Sequence, residues 1–120
     1  MRGVRGATTL ERNDPAHLRE RTTELLAALV DRNGIRPEDL ASAIFTTTDD
    51  VDADFPAHAA RALPGWDLVP LMCAREIAVP SALASCLRVL LHWNTDRGQH
   101  EVKHVYLHGA TALRPDLGEE

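Results

Sequence analysis

The stretch Pro70–Trp93 places a thiol (Cys73), a carboxylate (Glu76) and a guanidinium (Arg88) in largely apolar surroundings. Charged side chains are rarely buried in full unless they are paired. From Cys86 onward the residues alternate, which predicts a strand with Arg88 on one face and large apolar residues on the other. We interpret the apolar face as core and the face with Arg88 as a surface that the protein uses.

These groups match neither a catalytic triad nor a metal-ligand cluster. The two cysteines form no CxxC pair, and the six histidines form neither an HExxH motif nor a His/Cys cluster. His104 and His108 are four residues apart where we expect a strand, so we expect no metal site. The acidic run Asp49–Asp54 lacks the glycine and terminal glutamate of an EF-hand, which indicates a solvated loop.

Two other positions could contribute basic groups to a site. Arg5 has small neighbours on either side, which leaves room for a ligand, although a solvated arginine on an edge strand is the alternative. His58 and Arg61 lie three apart on a short predicted helix and therefore share a face. With Phe55 and Ala57 they could form a patch that is part apolar and part basic. The alternative is a surface helix that begins with a hydrophobic staple.

Composition limits the possible functions. At 120 residues the chain fits a single domain, spanning 1–120, with 118–120 expected to be a frayed tail. It is 44% hydrophobic and 26% charged, as globular proteins are, and its net charge of −5 argues against a general nucleic-acid binder. No apolar run has the length of a membrane span, and the first residues do not resemble a signal peptide. We therefore expect a cytoplasmic protein with reduced cysteines.

The elements that must position these residues are mostly strands. Among the predicted helices, the long one has the clearest signals: Asp14 as N-cap, Pro15 in its first turn and a stop at Asn33–Gly34. One further helical turn is expected at Pro37–Leu40 and a short helix at Pro56–Leu63. Strands are expected at Met1–Thr9, Ala43–Thr48, Trp66–Leu71, Cys86–Asn94 and Lys103–Ala110, with Cys73 and Glu76 in a loop after the third.

Cys86–Asn94 lies in a segment that also fits a helical stripe, but its alternation favours a strand. The sum is an α+β fold: about five strands with one long and one or two short helices.

Six motifs, in order along the chain, resemble those of the small monofunctional chorismate mutases of the α/β, trimeric class, which are unrelated to the all-helical class. The motifs are RGATT (Arg5–Thr9), FPAxAxR (Phe55–Arg61), GWxxVPxxCxxE (Gly65–Glu76), CLRV (Cys86–Val89), HVYLxGA (His104–Ala110) and LRPDL (Leu113–Leu117). The resemblance runs from Arg2 to Leu117. Each string alone is weak, but six in register are specific.

The resemblance implies a mixed five-stranded sheet covered by helices, with three subunits closing into a barrel-like homotrimer. Enzymes of this family bind chorismate between subunits and convert it to prephenate, on the route to phenylalanine and tyrosine. The reaction is a Claisen rearrangement, which requires no nucleophile, general base, metal or cofactor. The resemblance also favours a strand for the segment that carries Arg88.

The resemblance further implies roles for individual residues. Arg88 would stabilise negative charge on the breaking ether oxygen, Arg5 and Tyr106 would bind carboxylate, and Glu76 and Cys73 would meet the ring hydroxyl and the cationic side of the transition state. Phe55, Ala57 and Leu113 would form apolar walls, the first two from the neighbouring subunit, and Arg61 and Arg114 would guide the dianion. His58 and Met72 would also line the site. His58 departs from the lysine common in the family, and Met72 from a small polar residue.

Two other functions are compatible with the same residues. One is a non-catalytic trimeric module that binds a small anionic metabolite between subunits, since fold alone does not determine function. The other is a structural trimer in which these charges pair with one another. The set Arg5, Glu76, Arg88 and Tyr106 favours the enzyme, because a simple binder would not need Glu76 opposite Arg88.

Overall fold

The computed structural model describes residues 1–113. Within this range the strands are β1 (Arg2–Thr9), β2 (Leu40–Thr47), β3 (Leu71–Arg75), β4 (Cys86–Trp93) and β5 (Val105–Tyr106). The α-helices are α1 (Pro15–Asn33) and α2 (Pro56–Arg61). Three short 3₁₀ helices cover Pro37–Asp39, Gln99–Glu101 and His108–Ala112.

The strands form one mixed five-stranded sheet in the order β3-β2-β4-β1-β5. β4 runs antiparallel to both of its neighbours, β1 and β2. The two edge strands are parallel to the strands beside them, β5 to β1 and β3 to β2. The predicted α+β class, with a mixed five-stranded sheet and one long helix, is confirmed.

α1 covers one face of this sheet and ends where the sequence predicts. The Asp14 side chain accepts a hydrogen bond from the His17 backbone N–H at 2.9 Å, and Gly34 ends the helix with a left-handed φ of 71°. A Cβ on Gly6 of β1 would lie 2.7 Å from Leu29 Cδ1. Only glycine therefore lets α1 pack so closely on β1. No helix within residues 1–113 has both the length and the apolar character needed to cross a membrane.

The two faces of β4 differ as the alternation predicts. Its α1-facing side chains are all buried and belong to the main core: Leu87, Val89, Leu91 and Trp93. Arg88, Leu90 and His92 on the other face are partly exposed. The strand interpretation of this segment is confirmed, and the helical alternative is wrong.

The predicted strand Trp66–Leu71 is wrong over most of its length, because β3 begins only at Leu71. The preceding residues form tight turns in which Trp66 N–H bonds to Leu63 O and Val69 N–H bonds to Trp66 O. These bonds, after Gly65 with its φ of 84°, use backbone groups that a strand would need. Cys73 lies within β3, and not in a loop as expected.

The predicted strand Lys103–Ala110 is reduced to Val105–Tyr106. At its start, the Arg5 backbone N–H donates to His104 Nδ1 at 3.0 Å, so a side chain replaces a ladder bond. At its end, His108 adopts a left-handed φ of 53° and the chain turns into a 3₁₀ helix. The expected tail at 118–120 lies outside the described residues.

Candidate active site

A cleft of about 240 Å³ opens on the sheet face that α1 leaves uncovered. Arg88 lies at its centre because it stands directly opposite Ala7 on β1 and Thr46 on β2. Ala7 in turn pairs with Tyr106 on β5, and cross-strand partners share a face. The cleft is lined by Arg5, Gly6, Ala7, Ile44, Thr46, Arg88, Val89, Leu90 and Tyr106.

An ion pair joins Arg88 to Glu76 at this cleft. Arg88 Nε lies 3.4 Å from Glu76 Oε2, with the two side chains 33% and 19% exposed. The Thr46 hydroxyl donates a hydrogen bond to the same Glu76 oxygen. Glu76 N–H also bonds to Thr47 O at 2.9 Å, which extends the parallel pairing one residue beyond β3. The two charges that looked out of place in the sequence therefore lie side by side.

The Tyr106 hydroxyl is the second notable group. Tyr106 is only 1% exposed, and its hydroxyl has no hydrogen-bond partner among residues 1–113. Buried polar atoms are almost always satisfied, so this hydroxyl has the capacity to bond to a polar group from outside the described residues. Tyr106 belongs to a small apolar cluster with Ala7 and Ala110, against which Leu113 packs. The predicted apolar wall at Leu113 thus lies beside Tyr106.

Cys86 lies on the same strand face as Arg88 but is buried. Burial raises the pKa of the Cys86 thiol, while the nearby Arg88 guanidinium acts in the opposite direction with a smaller effect. The thiol is therefore neutral at physiological pH. A neutral, buried thiol is an inert packing group and not a nucleophile.

The turn before β4 is held by a carboxylate that sequence reasoning assigned to a solvated loop. Asp50 accepts hydrogen bonds from Ser85 N–H at 2.9 Å and from the Thr48 hydroxyl. These bonds, with that of Thr48 the strongest influence, lower the pKa of Asp50. Ser85 has a left-handed φ of 49°, which an L-residue adopts only when its surroundings impose it. This contact fixes the turn that precedes β4, the strand that carries Arg88.

Several predicted site residues lie elsewhere in the chain. Cys73 pairs with Phe45, and Phe45 with Val89, so Cys73 faces the α1 side of the sheet. It lines a separate cleft of about 440 Å³ together with Phe55. Within one chain, Arg88 and Cys73 are therefore on opposite faces of the sheet.

Phe55 and Pro56, where α2 begins, line that second cleft, and the residues that follow differ in burial. Phe55, at the start of α2, is 62% exposed, whereas Ala57 is buried. His58 Nδ1 lies 2.7 Å from Asp54 Oδ1, and the bonds from Phe55 N–H and then His58 lower the pKa of Asp54. Arg61 is exposed.

Met72 and Arg114 complete the predicted set. Met72, 65% exposed, pairs with Ile44 and so lies on the open face at the edge of the sheet. Arg114 lies outside the described residues. The structure thus brings together Arg5, Glu76, Arg88, Tyr106 and Leu113, and leaves the other described residues of the predicted set apart from them.

Thr46 is the polar residue lining this cleft that sequence reasoning missed. Threonine is common in strands, so the string Phe45–Thr48 indicated secondary structure and nothing more. Only the pairing of β2 with β4 reveals that Thr46 stands opposite Arg88.

Comparison with known proteins gives consistent results. The family model described as chorismate mutase type I matches residues 1–117. Chorismate mutase AroH of Thermus thermophilus is 49% identical over 118 residues, covering 98% of this chain and 96% of that protein. Chorismate mutase AroH of Bacillus subtilis (strain 168) is 41% identical over 117 residues, covering 98% and 92%.

The fold agrees with a solved structure as well. A chorismate mutase from Clostridium thermocellum matches with a TM-score of 0.90 and 45% sequence identity, covering 93% of this chain and 99% of that one. The residues matched by the family model, 1–117, include all six motifs. The chain therefore belongs to the chorismate mutase type I family.

Proposed function

We propose that this protein is an isomerase that converts chorismate to prephenate in the cleft around Arg88, as a step towards phenylalanine and tyrosine. The observation that carries this proposal is the arrangement of Arg88. Its guanidinium is partly buried, faces a cleft and is held on one side by Glu76. An arginine held in this way is preorganised to meet developing negative charge.

The reaction breaks a C–O bond as it forms a C–C bond. A protein can lower the barrier of this step in two ways. One is restraint of the enolpyruvyl arm over the ring in the reactive pose, which walls and carboxylate-binding groups supply. The other is stabilisation of the negative charge that grows on the ether oxygen. Arg88 supplies the second effect, because the fork of a guanidinium binds the ether oxygen and a substrate carboxylate together.

Arg5 and Tyr106 bind substrate carboxylate in this proposal. Both line the cleft, and the unpartnered Tyr106 hydroxyl gains a hydrogen bond when a carboxylate enters. Glu76 accepts from the ring hydroxyl and faces the side of the substrate that becomes cationic. Leu113, packed beside Tyr106, forms an apolar wall.

The remaining residues come from a neighbouring subunit of a homotrimer. Phe55 and Cys73 line the second cleft of their own chain, with Phe55 largely exposed, and Ala57 lies in α2 beside them, so a second copy would have to bring them to Arg88. The partly exposed apolar side chains of the open sheet face, among them Ile44 and Leu90, favour its coverage by another subunit.

Groups near the entrance then guide the substrate. Arg61 and Arg114 attract the dianionic substrate. Because the chain has a net charge of −5, it needs local positive charge to attract an anion. His58 and Met72 line the same region. His58 already faces the Asp54 carboxylate, which offsets part of any positive charge it offers the substrate.

We place the protein in the cytoplasm. Both cysteines, Cys73 and Cys86, are free thiols, as is usual in a reducing compartment.

The test is direct. Purified protein is mixed with chorismate, the loss of chorismate absorbance is followed, and prephenate is identified as the product. Conversion that saturates with substrate and is abolished in Arg88→Ala supports the proposal. A correctly folded wild-type protein that binds chorismate without converting it would instead identify a binding module. Light scattering at three times the chain mass would support the trimer, and a monomer that is fully active would refute the shared site.

A further inference from the structure

We propose that Thr46 is a positioning residue for Glu76: its hydroxyl holds one carboxylate oxygen beside Arg88 and leaves the other for the hydroxyl of the substrate. The proposal rests on the proposed function of this cleft. It adds a residue to the site and a division of labour between the two oxygens of Glu76.

Thr46 lies on β2, between its neighbours β3 and β4 in the sheet. It is directly opposite Arg88 on β4 and Ala74 on β3, so its side chain shares the open face with Arg88. Ala74 is too small to block the space between Thr46 and Glu76, which follows β3 two residues later. The threonine hydroxyl uses this space to donate to Glu76 Oε2.

The same oxygen also faces the arginine. Arg88 Nε lies 3.4 Å from Oε2, without the geometry of a hydrogen bond. The guanidinium therefore attracts the carboxylate but does not fix its rotation. Thr46 supplies the one directional bond that the Glu76 side chain makes within residues 1–113.

This arrangement leaves Glu76 Oε1 with no hydrogen bond to any residue of the described chain. An ionised carboxylate has about four lone-pair sites, so Oε1 retains its full capacity to accept a bond from a donor. The Glu76 side chain is 19% exposed and lines a pocket of about 300 Å³ beside the ion pair, so part of it remains accessible. A substrate hydroxyl that donates to Oε1 would find the carboxylate already oriented by Thr46.

Without the Thr46 hydroxyl, the backbone of Glu76 stays in place through its bond to Thr47 O, but its side chain is free to rotate. Other rotamers of Glu76 then compete with the rotamer that places Oε1 toward the substrate. A misplacement of about 1 Å in a positioning group reduces rate far more than binding. The proposal therefore predicts a lower kcat with a nearly constant KM.

The experiment compares Thr46→Val, which keeps the shape and removes the hydroxyl, with Thr46→Ser, which keeps the hydroxyl. We expect Thr46→Val to lower kcat roughly tenfold, as loss of one hydrogen bond to a charged group does, with KM within about twofold. Thr46→Ser should stay within about threefold of the wild type in kcat. If the valine variant does not fold, Thr46→Ala makes the same comparison against serine.

Thr8→Val is the matched control. Thr8 lies on the other face of the same sheet, is fully buried, and its hydroxyl has no hydrogen-bond partner within residues 1–113. Its replacement by valine should leave kcat and KM at the wild-type values.

A Thr46→Val variant with wild-type kcat would overturn the proposal, as would a serine variant as impaired as the valine variant. A wild-type protein that does not turn over chorismate would refute the proposed function instead.

Discussion

Replacement of Arg88 by lysine separates positive charge from the geometry of the guanidinium. Arg88 has Nε beside Glu76 Oε2 at 3.4 Å, and its side chain also lines the cleft. A lysine ammonium is a single compact charge with no second arm. At that separation and an effective dielectric constant of about 20, a unit charge attracts a carboxylate by about 5 kcal/mol. The lysine would therefore remain with Glu76.

The expected cost follows from the loss of one preorganised donor at the ether oxygen. Such a loss raises a reaction barrier by roughly 2.7–4 kcal/mol, which lowers kcat by about 10²–10³-fold. Stability should change far less, by about 1 kcal/mol or under, because a partly exposed ion pair is kept. The change in activity thus exceeds any change in folding by a wide margin.

The assay is steady-state conversion of chorismate by Arg88→Lys and wild type, with urea unfolding of both proteins and light scattering to verify the same assembly. Arg2→Lys, at the partly exposed start of β1, is the matched control because the Arg2 side chain donates to the Arg97 carbonyl and does not line the cleft. A correctly assembled Arg88→Lys enzyme with kcat within about threefold of the wild type would refute the reasoning.

Tyr106→Phe should unfold at the wild-type urea concentration, because the hydroxyl has no partner within residues 1–113, but its KM should rise roughly tenfold; an unchanged KM would remove Tyr106 from the site. Gly6→Ala should lower the free energy of unfolding by about 1–3 kcal/mol, since the new Cβ would meet Leu29 at 2.7 Å; unchanged stability would contradict this packing. Asp50 has a lowered pKa through its bonds from Thr48 and Ser85, so it stabilises the fold above the ordinary carboxylate range, and this stabilisation is lost as pH falls through the folded-state pKa. The difference in thermal midpoint between wild type and Asp50→Asn should therefore shrink on acidification, and a constant difference would argue against it. Finally, kcat should vary little between about pH 6 and about pH 9, because no proton moves in the chemical step; a sharp bell-shaped profile would indicate acid–base chemistry.

The sequence predicted those elements whose local signals agree with their packing. α1 has a cap, a proline and a glycine stop in addition to its apolar stripe, and all of these are used in the structure. The alternation in β4 predicted its two faces, because a buried face and a partly open face impose opposite requirements on successive residues. In both elements local chemistry and tertiary environment coincide.

Predictions failed where a tertiary contact replaced a local preference. The strand around Tyr106 is short because His104 takes the Arg5 N–H and His108 turns the chain, and neither event has a local signal. The position of Cys73 depended on whether β3 had begun, since each residue of a strand changes face.

Only some of the residues that line the cleft could be predicted from the sequence. Arg88 and Arg5 were singled out by their neighbours in the sequence, whereas Tyr106 was selected only through the family resemblance. The convergence of the three depends on the strand order, which periodicity does not reveal. Thr46 and Asp50 escaped notice because threonine is ordinary in strands and aspartate is ordinary in loops. Their roles arise from partners 30 or more residues away, Glu76 for Thr46 and Ser85 for Asp50.

The central claim is that the cleft of Arg88 and Glu76 converts chorismate to prephenate by binding and charge alone. Its most direct test is an NMR time course of chorismate with the purified wild-type protein, with Arg88→Lys in parallel. The wild type should form prephenate as the sole product, and Arg88→Lys should do so about 10²–10³-fold more slowly. Chorismate that persists with the wild-type protein, or is consumed equally fast by both proteins, would contradict it.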